Sequence, residues 1–134
     1  MDDHRAIERV LLNYCAGIDR LDGALLGSCF TADAAIDYGA AGAWNGGDEL
    51  VAYMIPRHRA LRKSQHRLHN VMIDVDGDRA TARSYVDAVL LVADGSLYRN
   101  PIAEYDDEFR RIDGQWKIAR RTTTVLFIRE VSLT

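Results

Sequence analysis

Three Asp-Gly pairs, Asp76-Gly77, Asp94-Gly95 and Asp113-Gly114, punctuate the second half of the chain at nearly even spacing. Asp-Gly suits the φ > 0 positions of tight hairpin turns, which most side chains resist. Between the pairs Val, Ile, Thr, Tyr and Phe recur, as pleated strands prefer. The spacing predicts four long strands, roughly 65–75, 79–93, 97–112 and 115–129, in an antiparallel meander.

The first half is patterned differently. Ile7, Val10, Leu11, Tyr14, Cys15 and Ile18 follow steps of three and four, the period of an amphipathic helix. Asp2 or Asp3 is expected to cap it and Gly23 to help end it. A short helical piece, "ALLGSCF", leads to a turn at "TADA" and a short strand, "AAIDY", closing near Tyr38. "GAAGAWNGG" reads as a flexible connection, and Asp48 as the N-cap of the next helix. On that helix Leu50, Tyr53, Met54, His58 and Leu61 share a stripe around Pro56, a kinking residue. Helices followed by a long curved sheet make an α+β layer, with a concavity between them where a ligand would sit. At 134 residues the chain supports one domain, 1–134, with no repeat or low-complexity tract.

Composition removes several function classes. Seventeen basic against 20 acidic residues leave a net charge of −3, which gives no reason to expect nucleic acid or an anionic membrane as partner. The one basic cluster, Arg57, Arg59, Arg62, Lys63 and Arg67, falls at the end of a helix, where cations suit the dipole. No apolar run approaches the roughly 20 residues that span a bilayer, and the charged N-terminus lacks a signal core. Cys15 and Cys29 have no CxxC spacing and read as buried thiols in a reducing compartment, the cytoplasm. Phosphate-cradling and nucleophile-elbow motifs are missing, and no His, Cys or acidic set has convincing ligand spacing. No metal and no cofactor is expected.

Two histidines stand three apart in "SQHRLHN". On a regular strand they face opposite sides, His66 with Leu68, Asn70 and Met72, His69 with Val71, Ile73 and Val75. Parity alone leaves open which side faces inward. Asp19 lies on or beside the apolar stripe of the first helix, where an ionised carboxylate is costly unless paired. A histidine is the usual partner where acid–base work is done. An arginine such as Arg20, Arg120 or Arg121 would serve in a purely structural ion pair. His58 is assigned to helix packing.

The stretches "LLNYCAGIDRLDGALLGSCFTADAAIDY", "SQHRLHNVMIDVDGDRATARSY" and "EYDDEFRRIDGQWKIARR" resemble the SnoaL-like and scytalone-dehydratase-like proteins of the nuclear-transport-factor-2-like superfamily. The resemblance covers nearly the whole chain. It implies a cone-shaped α+β fold, with N-terminal helices packed on a curved antiparallel sheet that encloses a pocket. The family's catalytic pair is an aspartate late in the first helix and a histidine at the start of the first long strand, positions held here by Asp19 and His66. Tyr38 matches a tyrosine that polarises a substrate carbonyl through water. Tyr105 and Arg121 match pocket-lining positions of relatives, and a bulge would exchange Arg121 with its neighbour Arg120. Tyr14, just over a turn before Asp19, is a further candidate for substrate contact.

Departures from scytalone dehydratase narrow the expectation. Ile18 replaces a tyrosine, Ala103 and Tyr105 replace a serine and an asparagine, and Leu90 replaces a second pocket histidine. Scytalone itself is not the expected substrate. A pocket lined by Ile18, Leu68, Met72, Ala103 and Tyr105 would suit a hydrophobic, cyclic or aromatic molecule. The implied function is a small cofactor-independent lyase, dehydratase-like, working by Asp–His acid–base catalysis. One alternative is a polyketide cyclase or ketosteroid-isomerase-like proton shuttle. Another is a non-catalytic binding or assembly module, which would show a filled cavity or an arginine on Asp19. Trp116 is read as packing and Trp44 as a cover for the pocket mouth or a surface residue. A homodimer is expected, through an outer sheet face bearing Val71, Ile73 and Val75.

Overall fold

The computed structural model describes residues 2–134. The predicted helical stripe forms α1 (Asp3–Asp19), with Ile7, Leu11, Tyr14, Cys15 and Ile18 buried along it. Asp2 caps it by accepting a hydrogen bond from the Arg5 N–H at 2.9 Å. Gly23 does not end this helix. It opens α2 (Gly23–Ser28), which Asp22 caps through the Leu25 N–H. Gly17 lets the two helices meet: a β-carbon there would lie 2.8 Å from the Leu26 backbone nitrogen.

Strand β1 (Phe30–Asp37) follows, longer than "AAIDY" implies. The glycine-rich connection is ordered as a single 3-10 turn, Gly39–Ala41, and a short strand β2 (Ala43–Asn45). Helix α3 (Gly47–Arg59) is capped by Gly46, not by Asp48, which lies in its first turn. The Gly46 backbone, at φ 81°, passes so close to the Ala32 carbonyl that a β-carbon would sit 2.5 Å from it.

The four predicted strands are β3 (Lys63–Asp76), β4 (Arg79–Leu91), β5 (Leu97–Ile112) and β6 (Gln115–Ser132). Gly77, Gly95 and Gly114 all have positive φ, as their turns require. The sheet has six strands in the order β2-β1-β6-β5-β4-β3. It is mixed, because β1 runs parallel to β6 while every other pairing is antiparallel. Parallel neighbours cannot be joined by a tight hairpin, and the chain between β1 and β6 runs through β2, α3 and the antiparallel meander from Lys63 to Ile112.

Two bulges correct the strand parity. In β3 an extra residue sits between His69 and Met72, with Asn70 at φ 50°, a conformation that asparagine tolerates. The bulge changes the phase, so His66 and Leu68 face inward together with Val71, Ile73 and Val75. These two valines and the isoleucine pack against the core and cannot form an outer dimer face. Met72 is 70% exposed on the outside and lines neither of the spaces next to His66. Tyr85 and the run Val125–Ile128 at the end of β6 are likewise exposed. A second register shift, between Glu108 and Phe109, changes the phase of β6 after Trp116 and Ile118. That shift turns Arg121 inward and leaves Arg120 exposed beside Glu108.

The core lies between the helices and the inner face of the sheet, and includes Ile7, Leu50, Ala82, Phe109, Trp116 and Ile118. Cys15 and Cys29 are buried free thiols, each pushed up to about 11 by burial. Among the described residues, no helix is long and apolar enough to cross a membrane.

Candidate active site

Asp19 is the last residue of α1, and His66 lies near the start of β3, which packs against that helix. The Asp19 carboxylate accepts three hydrogen bonds from β3. The His66 ring Nδ1–H donates to Oδ1 at 2.7 Å, the His66 backbone N–H to Oδ2 at 2.7 Å, and the Ser64 hydroxyl to Oδ1 at 2.9 Å. Neither Arg20, Arg120 nor Arg121 reaches it. Burial pushes the Asp19 carboxyl up, but the bonds from the His66 ring, the His66 backbone and Ser64, with the His66 charge, outweigh it and hold the group below its ordinary value. Asp19 is therefore ionised at neutral pH. Its charge keeps the proton of a neutral His66 on Nδ1 and leaves the Nε2 lone pair free.

His66 lines two adjoining spaces. One is a cleft of about 660 Å³ under α3, walled by Tyr53, Met54, His58 and Leu61 on the helix side and by Leu90 and Pro101 on the sheet side. The other is a recess of about 120 Å³ over the sheet, lined by Tyr38, Val86, Ala103, Tyr105 and Thr123. The Thr123 Oγ1 has no hydrogen-bond partner among the described residues. Trp44 packs edge-on against Tyr38 and at 4.6 Å between ring centroids from Tyr53, bracing the two walls.

Behind the recess is a sealed polar cluster. Arg121, 0% exposed, donates through Nε and Nη2 to the two oxygens of Asp107 at 2.7 and 2.9 Å. Its guanidinium carbon lies 3.8 Å from the Tyr105 ring centroid and 4.3 Å from that of Tyr14. Arg121 Nη1 donates to the Tyr38 hydroxyl at 3.4 Å, and the Tyr14 and Tyr38 hydroxyls are hydrogen-bonded to each other. Burial disfavours the charged guanidinium, but the Asp107 carboxylate more than offsets this and Arg121 stays cationic. Burial pushes Asp107 up and Arg121 pulls it down; beside a permanent cation the pair is ionic at neutral pH. Burial also holds Tyr14 and Tyr105 well above the ordinary phenol value.

The structure thus brings Asp19 and His66 into contact and puts Tyr38 and Tyr105 on the recess. Tyr14 and Arg121 lie behind them, buried at 1% and 0% exposure. His69 is exposed on the outer face, donating to Asp87 at 2.8 Å. Sequence reasoning missed Ser64, Asp107 and Thr123. Alternation along β5 offered a signal for Asp107, which shares a face with Tyr105 and Phe109. Ser64 is two residues from His66 and so on its side of the strand. No group of three or more His, Cys, Asp or Glu side chains among the described residues could hold a metal ion.

A layer of helices over a curved mixed sheet is the architecture of the nuclear-transport-factor-2-like superfamily. Within it, the chain belongs to the SnoaL-like domain family, whose model matches residues 1–122. An uncharacterized protein of Mycobacterium tuberculosis is 30% identical over 129 residues, covering 95% of this chain and 88% of its own. A crystal structure named provisionally as a scytalone dehydratase, from Novosphingobium aromaticivorans, superposes with a TM-score of 0.88 at 25% identity, covering 98% of this chain and 89% of that one. A hexachlorocyclohexane dehydrochlorinase from Novosphingobium barchaimii shares the fold, with a TM-score of 0.83 at 19% identity over 98% of this chain and 91% of that one.

Proposed function

We propose that this protein is a cofactor-independent lyase, dehydratase-like, that removes a proton next to a carbonyl of a hydrophobic cyclic or aromatic substrate. The observation that carries this reading is the pairing of His66 Nδ1 with Asp19 beside an open cleft. With Nδ1 committed to the carboxylate, Nε2 is the base. Asp19 then stabilises the imidazolium that forms, and the same Nε2–H can protonate a departing hydroxide. General acid–base catalysis of this kind contributes about 10²–10⁴-fold.

Tyr38 supplies the electrophilic side. Its oxygen takes a hydrogen bond from Arg121. We assign the proton shared by the two hydroxyls to Tyr14, which leaves the Tyr38 proton free for an oxygen in the recess. Charge develops there when the α-proton leaves, and a preorganised donor is worth most at that moment. Arg121 and Tyr14 act through Tyr38, and Tyr105 forms part of the wall.

An open cleft and a histidine on Asp19 both favour this reading over a binding or assembly module. The test is a panel of cyclic β-hydroxy ketones, followed by the absorbance of the conjugated enone. Enone formation that His66→Ala abolishes while the fold is retained supports the proposal. Turnover unaffected by His66→Ala, or isomerised product with no loss of water, overturns the dehydratase assignment.

A further inference from the structure

A second imidazole faces the cleft, from α3 instead of from the sheet. His58 Nδ1 lies 2.9 Å from the Met54 carbonyl one turn earlier. A carbonyl oxygen can only accept, so Nδ1 must carry the ring proton and Nε2 must hold a lone pair. Among the described residues, Nε2 has no hydrogen-bond partner. The ring lines the same 660 Å³ cleft as His66, with the two ring centroids 5.5 Å apart and the rings tilted by 46°.

The two rings have been given opposite second partners. His66 is bonded to an anionic carboxylate. His58 is bonded to a neutral carbonyl and half-buried. Burial, chiefly, pushes its pKa below the ordinary histidine value, and the neighbouring His66 adds to this. His66 can cycle through the imidazolium, while His58 stays a neutral acceptor beside it.

We infer that His58 is the cleft's acceptor for the hydroxyl of the cyclic hydroxy ketone proposed above, holding it near the carbon from which His66 takes its proton. This rests on the acid–base reading for the role of His66, but not for the binding of the hydroxyl. The hydroxyl donates its proton to His58 Nε2, and its oxygen lone pairs remain open toward His66. When His66 has taken the α-proton, that proton passes from Nε2 to the oxygen as the carbon–oxygen bond breaks, and water leaves. His58 gains and loses nothing in the step. It fixes which lone pair meets the acid.

The experiment measures equilibrium binding of cyclohexanone and 3-hydroxycyclohexanone by NMR titration, in a His66→Ala background that prevents turnover. The hydroxy ketone should bind about three- to tenfold more tightly, the worth of one neutral hydrogen bond. Adding His58→Phe, which keeps a planar ring and removes the acceptor, should erase that preference. Adding His58→Gln instead, whose amide oxygen can accept, should retain part of it. Equal affinity for the two ketones, no measurable binding of either, or a preference that survives His58→Phe overturns the inference. Enone formation in the His66-containing protein is read separately. Its absence alongside a His58-dependent preference would sink the catalytic reading alone, and its presence without the preference would sink this one alone.

Discussion

Asp19 holds His66 twice, by the ring Nδ1–H on one carboxylate oxygen and by the backbone N–H on the other, both at 2.7 Å. The contact therefore fixes the strand and the ring together. Substituting Asp19 by alanine leaves a half-buried N–H, a ring N–H and the Ser64 hydroxyl without their acceptor. Each unsatisfied buried group costs about 1–3 kcal/mol. Partial exposure of the site puts the expected loss at the lower end, about 1–3 kcal/mol in total, measured as a shift in denaturant midpoint with unchanged m-value.

The same carboxylate makes stability acid-sensitive. Its folded pKa lies below its unfolded one, so its contribution is complete above the ordinary carboxylate value and is lost as pH falls through the folded value. Urea midpoints measured from pH 6 downward should decline once the pH drops below about 4. Asp19→Asn should make that decline shallower without removing it, because Asp87, held low in spite of its burial by its bonds to His69 and Arg67, titrates in the same window. An identical acid limb in the two proteins would contradict the assignment.

Arg121 and Asp107 form a fully buried ion pair, which is costly to break from one side. Asp107→Asn should destabilise by about 3–5 kcal/mol, since the guanidinium is left in place without its counter-charge. Replacing both residues with apolar side chains of similar size should recover much of that loss. Chemical denaturation of the single and double variants reads the difference, and a double variant worse than the single one would refute it.

Gly17→Ala tests the close approach of α1 and α2. The added methyl meets backbone at 2.8 Å, which no side-chain rotation can relieve. Overpacking of this kind costs about 1–3 kcal/mol, more than the gain in helix propensity of about 1 kcal/mol. A lowered melting temperature is expected, and an unchanged one would mean that the helices separate freely.

Much of this arrangement is legible in the chain, and the reasons for the exceptions are local. The α1 stripe from Ile7 to Ile18 is readable because a single period runs through it without interruption. The Asp-Gly pairs mark the hairpins because so few residues accept their backbone angles. Parity along β3 fails at Asn70, because one extra residue reverses every later side chain, and asparagine gives little warning of it. The same thing happens in β6 ahead of Arg121, where nothing in "KIARR" distinguishes the two arginines. The parallel β1–β6 pairing depends on where a strand lands after two helices, and pattern reading along one strand carries no information about that. His58 looks like one more residue of a packing stripe. Its place in the site depends on α3 leaning over His66, a tertiary relation.

The central claim is that His66 is the base. Exchange of the α-protons of cyclic ketones in D2O, followed by loss of their proton NMR signals, tests it without knowledge of the natural substrate. The wild-type protein should accelerate exchange of at least one ketone above buffer, and His66→Ala should reduce that acceleration by about 10²–10⁴-fold while remaining folded. Exchange at the wild-type rate in a folded His66→Ala protein, or none above buffer in the wild type, would contradict the account.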